Sequence, residues 1–251
     1  MNERSRKILD ILAKEGSARI EKLCRELCYS RSTIRRDLVE LEQLGVVRRR
    51  NGLVSYVQSS ARERDFRLRQ FENIEQKDYI AKLAAKYVKS GMTIFMDSST
   101  TVRHMLPYLS KVEGVVAATN GIGLASDIVN GNYKNIELFM VGGYYRDNLG
   151  AVVGEEALDF ISRLRADICF ISCLSVLAQG FYEASMQQAY VKKKMMQYSG
   201  KVIMLADSSK FGQDYKYQLA PLENAHLIIS EKRPPEEFAE AIEAVGCHIL
   251  Y

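Results

Sequence analysis

The chain has 251 residues, 47% hydrophobic and 26% charged, with a formal net charge of +4. This is ordinary composition for a soluble globular protein with room for two domains. No apolar run reaches the roughly 18 to 20 residues of a membrane helix, and the charged, amphipathic start MNERSRKILDILAKEG lacks a signal-peptide core. The charge is uneven: residues 1–60 hold 13 Lys and Arg against 8 Asp and Glu, and the remainder holds 22 against 23. A basic front on a near-neutral body suggests a nucleic-acid-binding head.

Ile8, Leu9, Ile11 and Leu12 give a first helix its apolar stripe, and Gly16-Ser17 ends it. Ile20, Leu23, Cys24 and Leu27 mark a second helix over Ala18–Leu27, with a tight turn at Cys28-Tyr29. A third helix is expected over Ser30–Leu44, where Ile34, Leu38, Leu41 and Leu44 share one face. Ser30 suits its N-cap. Its outer face carries Arg31, Ser32, Thr33, Arg35 and Arg36 in the first two turns, and Glu40, Glu42 and Gln43 later. A recognition helix in a major groove uses its N-terminal half, where arginine forks and hydroxyls reach bases and phosphates. A solvated amphipathic helix would carry the same charges. Two β-prone runs, Val46–Arg49 and Leu53–Val57, flank Asn51-Gly52, a hairpin signal. That hairpin is a wing, and Arg48, Arg49 and Arg50 would face the phosphate backbone.

The run S-R-S-T-I-R-R-D-L-x-x-L-E-x-x-G-V-V-x-R resembles the N-terminal signature of DeoR-type bacterial transcription regulators, with the match extending from about Ile8 to Arg50. The family usually continues with His-Gly-Gly-Ala, where this chain has Asn51-Gly52-Leu53-Val54. We therefore expect a winged helix-turn-helix domain over residues 1–57. Residues 58–76 form a polar, charged linker, expected to be helical. In it Phe66, Arg69, Asn73 and Lys77 resemble the family's F-x-x-R-x-x-x-N-x-x-x-K. Its contacts stay open: solvent, another protomer, or the second domain.

Residues 77–251 alternate buried strands with helices. The strands are expected at Met92–Met96, Val115–Ala118, Ile136–Val141, Asp167–Cys173, Val202–Leu205 and Leu227–Ile229. The helices fall at Val102–Leu109, Ile122–Val129, Glu155–Leu164, Met186–Tyr198 and Glu236–Val245. The pattern implies an α/β domain with a mostly parallel sheet covered on both faces, and a ligand crevice beyond the strands' carboxyl ends. Four polar turns stand there: Asp97-Ser98-Ser99-Thr100-Thr101, Thr119-Asn120-Gly121, Gly142-Gly143-Tyr144-Tyr145-Arg146 and Asp207-Ser208-Ser209-Lys210. Singly, each reads as a cap or turn. Together, with Arg146 and Lys210 as cations, they suit phosphate.

These segments resemble the sugar-phosphate-sensing domain of the DeoR family, related in fold to ribose-5-phosphate isomerases and CoA transferases. The resemblance rests on D-S-S-T-T (D-S-G-T-T in the family), T-N-G, G-G-Y-Y-R with Gly154, Ala166-Asp167 and D-S-S-K-F-G. It implies that Asp97, Ser99, Thr100 and Thr101 contact the effector, with Asn120, Arg146, Lys192 and Lys210 nearby. Glu183 would either bind a sugar hydroxyl or cap the next helix. Of Lys192, Lys193 and Lys194, two are expected on a solvated helix face.

The odd count of five cysteines implies no disulfide framework. Cys24/Cys28 and Cys169/Cys173 have no histidine nearby to complete a zinc set and are expected to be small buried thiols, in a reducing cytoplasm. Three functions compete: a DNA-binding regulator sensing a phosphorylated sugar, a sugar-phosphate isomerase or transferase with an appended head, and a ligand-free DNA scaffold. An isomerase needs a positioned base, and no acidic cluster of that kind is found. His104, His226 and His248 are dispersed. The regulator is the reading that accounts for both ends of the chain. We expect a repressor of carbohydrate genes acting on double-stranded operator DNA as a homodimer or homotetramer, with a phosphorylated sugar as effector and neither cofactor nor metal.

Overall fold

The computed structural model describes residues 3–43, 45–56 and 66–251. Packing divides the chain into two units, Met1–Glu72 and Asn73–Tyr251. The expected positions Leu44, Val57 and linker residues 58–65 lie outside the described residues.

The first unit holds helices α1 (Glu3–Glu15), α2 (Ile20–Leu27) and α3 (Arg31–Gln43), with strands β1 (Ser17–Arg19), β2 (Val47–Arg50) and β3 (Leu53–Tyr56). Ile8 and Leu12 of α1, Leu23 of α2 and Ile34, Leu38 and Leu41 of α3 are buried together with Val47 and Val54 of the sheet. The sheet order is β1-β3-β2, antiparallel throughout. β1 corrects the expected second helix. Ala18 is not helical; it pairs with Val54 and is buried in the head's core. At Asn51 and Gly52 φ is 50° and 76°, the left-handed pair that a two-residue hairpin turn of matching twist requires. Cys28 is a second correction. It is exposed, not buried, because it is the left-handed residue (φ 56°) that ends α2 and turns the chain toward α3.

After α4 (Phe66–Arg69), the second unit opens with α5 (Ile74–Ala85). There follow β4 (Thr93–Met96), α6 (Thr100–Arg103), α7 (Leu106–Leu109), β5 (Val115–Thr119), α8 (Ile122–Asn130) and β6 (Ile136–Met140). Next come the hairpin strands β7 (Tyr144–Arg146) and β8 (Ala151–Val153), then α9 (Glu155–Ser162) and β9 (Ala166–Ser172). β10 (Ser175–Leu177) and β11 (Gly180–Glu183) lead into α10 (Met186–Gln197) and β12 (Ser199–Leu205). β13 (Tyr217–Ala220), β14 (Leu227–Ile229), α11 (Glu236–Ala244) and β15 (His248–Leu250) close the chain.

Seven strands form one sheet, ordered β15-β14-β12-β9-β4-β5-β6, and every pair in it is parallel. Side chains alternate between its faces. Phe95, Cys169, Ile171 and Met204 point into a core with α9, α10 and α11. Ile94, Met96, Phe170 and Leu205 point into a second core with α5 to α8. Both faces are thus covered, which is why these strands read as unbroken apolar runs. The expected helix Val102–Leu109 is two short helices, broken at His104-Met105, with Pro107 in the first turn of the second. A small antiparallel sheet, β10-β11-β13, flanks the main one. No described helix is long and apolar enough to cross a membrane.

Candidate functional site

In the first unit, Ser30 caps α3. Its Oγ accepts the Thr33 backbone N–H at 3.2 Å and lies 2.9 and 2.7 Å from the hydroxyls of Ser32 and Thr33. Arg31, Ser32, Arg35 and Arg36 are exposed on the outer face of the same helix. Arg31 reaches Glu21 at 3.0 Å, but both partners are more than half exposed, so the pair restrains little. The inner face is fastened differently. Asp37 is buried and takes Arg4 of α1 through both carboxylate oxygens, and the Arg4 guanidinium lies 4.8 Å over the Tyr29 ring. This fixes α3 against α1.

The three wing arginines separate by strand alternation. Arg48 and Arg50 are exposed; Arg49 turns the other way. Arg49 donates to Glu42 of α3 from Nε (2.8 Å), Nη2 (2.6 Å) and its backbone N–H (3.0 Å). These hydrogen bonds hold the Glu42 carboxyl below its ordinary range. Arg49 is therefore the clasp between α3 and the β2-β3 hairpin. A concavity of about 580 Å³ opens between them, lined by Arg19, Arg31, Arg35, Arg49 and the turn Asn51-Gly52. Arg19, at the end of β1, was not singled out from sequence; its signal was a cation immediately before the second helix.

In the second unit, the carboxyl ends of β4, β5, β9 and β12 meet around a buried ion cluster. Asp97 is fully buried. Its Oδ1 accepts Ser99 N–H at 2.9 Å, and its Oδ2 accepts Ser172 N–H at 3.1 Å. Lys192, also buried, places Nζ 3.1 Å from Asp97 Oδ2, 2.5 Å from Glu183 Oε1 and 2.7 Å from the Ser172 carbonyl. Burial by itself would favour the neutral amine, yet Asp97 and Glu183 outweigh it and raise the Lys192 pKa. Asp97, Glu183 and Lys192 thus form one unit, with the ammonium's three donors all used. Lys193 is exposed and Lys194 lies half-buried, 4.8 Å over the Tyr198 ring.

The D-S-S-T-T turn wraps this cluster. Ser98, Ser99, Thr100 and Thr101 are all buried, and Ser99 Oγ caps α6 by accepting Val102 N–H at 3.2 Å. Ser98 Oγ meets Gln188 Nε2 of α10 at 2.6 Å. Gln188 escaped sequence reading because it belongs to no motif. On the neighbouring strand, Thr119 Oγ1 accepts Gly121 N–H at 3.0 Å, and Asn120 Nδ2 donates to the Val152 carbonyl at 3.0 Å. A Cβ on Gly121 would stand 2.8 Å from Ser98 Cα, so glycine is what lets the two turns touch. Gly143, at φ 136°, likewise answers to its own hairpin: a Cβ there would lie 2.8 Å from the Val153 carbonyl. Gly142 faces open space. Arg146 is exposed on β7 and reaches the first turn of α10, donating to Gln187 at 3.1 Å. Lys210 is half-buried beyond β12. Three buried oxygens have no partner among the described residues: Asn120 Oδ1, Gln188 Oε1 and Asp207 Oδ2. All belong to this carboxyl edge. Burial raises the thiol of Cys173, which follows β9, to about 12, with Glu183 adding to it, so it is no nucleophile.

Residues 4–60 match the DeoR-like helix-turn-helix domain and residues 72–232 match the DeoR C terminal sensor domain. The transcriptional repressor GlcR of Bacillus subtilis is 32% identical over 250 residues, covering 99% of this chain and 95% of that one. The transcriptional regulator GlpR of Haloferax volcanii is 30% identical over 249 residues, covering 99% and 96%. Among solved structures, ribose 5-phosphate isomerase A of Methanocaldococcus jannaschii matches 56% of this chain and 55% of its own at 17% identity and a TM-score of 0.40. A helix-turn-helix head clasped to its wing, a sensor body with a polar strand edge, and full-length relatives that regulate transcription agree: the chain belongs to the DeoR family of helix-turn-helix transcriptional regulators.

Proposed function

We propose that this regulator is an intracellular repressor of carbohydrate-metabolism genes, controlled by a phosphorylated sugar at the carboxyl edge of its parallel sheet. The observation that carries the sensing half is the set of buried oxygens at that edge with no partner among the described residues. Buried acceptors are costly unless a donor arrives, and sugar hydroxyls are donors. Arg146 and Lys210, both accessible, supply the charge for a phosphate. Asp97, Glu183 and Lys192 then form the floor. Ser98 to Thr101, Thr119 to Gly121 and the Gly142-Gly143 turn form the walls.

The head binds duplex DNA through Ser30, Arg31, Ser32, Thr33, Arg35 and Arg36 on the recognition helix, with Arg48 and Arg50 on the wing addressing phosphates. Two heads on repeated half-sites require a homodimer or homotetramer. Turnover is the competing reading, and the floor disfavours it. Lys192 is held as an ammonium with its donors engaged, so it offers no base for proton abstraction. Incubation with pentose and hexose phosphates tests this: thermal stabilisation without product is expected, since a ligand of the native state raises its stability. Product formation would make the chain an enzyme. Lys210→Ala should blunt the stabilisation, and an undiminished shift would remove Lys210 from the site.

A further inference from the structure

Asp207 follows β12, and its two carboxylate oxygens are in different circumstances. Oδ1 is crowded: it accepts the Ser209 backbone N–H at 3.0 Å, the Ser209 hydroxyl, and Nδ2 of Asn73 at 3.1 Å. Oδ2 has no partner among the described residues, although the side chain belongs to a residue only 1% exposed. A buried carboxylate oxygen without a donor carries a large desolvation penalty. A dianionic phosphate cannot relieve it, being itself a cluster of acceptors. A hydroxyl can.

Asp207 belongs to the charged neighbourhood described above. Glu183, Lys192, Lys210 and Asp207 all act electrostatically on the Cys173 thiol. A second oxygen of the same kind waits on β5's side of the edge. Asn120 must aim Nδ2 at the Val152 carbonyl, which leaves Oδ1 as the unpartnered atom whatever the assignment of the amide. Both positions call for ligand donors.

The crowded oxygen leads elsewhere. Asn73 is the first residue of the sensor unit. Its backbone is left-handed, φ 50° and ψ 42°, and α5 starts immediately after it. Its amide also donates to Ser209 Oγ at 3.1 Å, and its carbonyl accepts Lys77 N–H at 2.9 Å to begin the helix. The backbone conformation through which the chain enters the sensor is therefore held by the loop that carries the unpartnered oxygen.

We propose that Asp207 is a two-sided residue: Oδ2 receives a hydroxyl of the bound sugar phosphate, and Oδ1, through Asn73, reports occupancy to the point where the chain arrives from the DNA-binding head. This rests on the sugar sensing proposed above. The two oxygens share one delocalised charge, so a donor arriving at Oδ2 draws charge from Oδ1 and loosens its hold on Asn73. The ligand then favours one arrangement of the junction over another, which any effect on DNA affinity requires.

The test uses the full chain with Asn73→Gly, which keeps access to the left-handed backbone and deletes the amide. Thermal shift with ribose 5-phosphate, glucose 6-phosphate and fructose 1-phosphate measures binding; fluorescence anisotropy on DNA from upstream of its own gene measures response. We expect at least one sugar phosphate to stabilise the wild type and to change its DNA affinity by about tenfold or more. Asn73→Gly already lacks the hold that occupancy loosens. It should therefore bind that same compound at least as tightly as the wild type, and bind ligand-free DNA with close to the affinity of the ligand-bound wild type, with its DNA response cut to about threefold or less. Asp207→Asn, which swaps the charged acceptor for a donor, should weaken sugar-phosphate binding about tenfold. An undiminished response in Asn73→Gly overturns the relay, and unweakened binding in Asp207→Asn overturns the hydroxyl contact. If none of the three compounds stabilises the wild type, the sensing reading itself fails, and this inference with it.

Discussion

Lys192 illustrates what single residues do in this chain. It stands between Asp97 and Glu183, all three buried, so removing the ammonium leaves two buried carboxylates without their counter-charge. Lys192→Met should cost about 3–5 kcal/mol in urea unfolding at neutral pH. A loss below about 1 kcal/mol would mean the cluster is not buried in solution. The contribution of the raised Lys192 pKa in the wild type is fully present below the unfolded lysine value, near pH 10, and is lost only as pH rises through the higher folded value. On the head, Arg35→Ala should reduce DNA affinity by about 1–3 kcal/mol and relax sequence preference, whereas Arg48→Ala should weaken all sequences alike and lower the salt slope. Equal effects on specific and random DNA would remove Arg35 from base reading. Each of these residues was visible in sequence as a charge at a suggestive position. The resemblance put Asp97 and Lys192 at one site, but that Lys192 bridges Asp97 and Glu183 was not visible, because nothing local links a strand end to a helix face so far along the chain.

At the scale of elements, the wing and the two sensor turns make the sharpest predictions. Glu42 ties α3 to β2 through Arg49. Because its folded pKa is depressed, its contribution is present above the unfolded value of about 4.3 and is lost as pH falls through the lower folded value. Glu42→Gln should speed amide exchange in residues 47–56 and weaken DNA binding while the helical core holds; unchanged exchange would show that the hairpin needs no clasp. Gly121→Ala forces a Cβ against the Ser98 backbone and should destabilise the sensor by about 1–3 kcal/mol in urea. A neutral result would mean the two turns stand farther apart. The long elements were legible: the core strands read as apolar runs because both sheet faces are covered, and the Asn51-Gly52 turn announced the hairpin. β1, β10 and β15 were not legible, being three residues each with no period to detect. The β7-β8 hairpin was missed because β7 is exposed throughout and shows no alternation. Pro107 was the available signal for the break between α6 and α7.

The whole molecule joins a basic head to a near-neutral sensor, a division already present in the uneven charge of the sequence. What the sequence could not show is which buried polar groups have no partner among the described residues. Asn120, Gln188 and Asp207 look like ordinary polar residues until packing removes their water. The measurement closest to the centre is an anisotropy titration of the purified full-length chain on DNA from upstream of its own gene, across salt, with and without sugar phosphates. We expect tight binding at low salt, a log–log slope of about −0.9 for each phosphate neutralised, preference over random duplex, and a shift in affinity when a sugar phosphate that stabilises the protein is added. Binding no tighter than to random DNA, or an affinity indifferent to such a ligand, would contradict a ligand-controlled repressor.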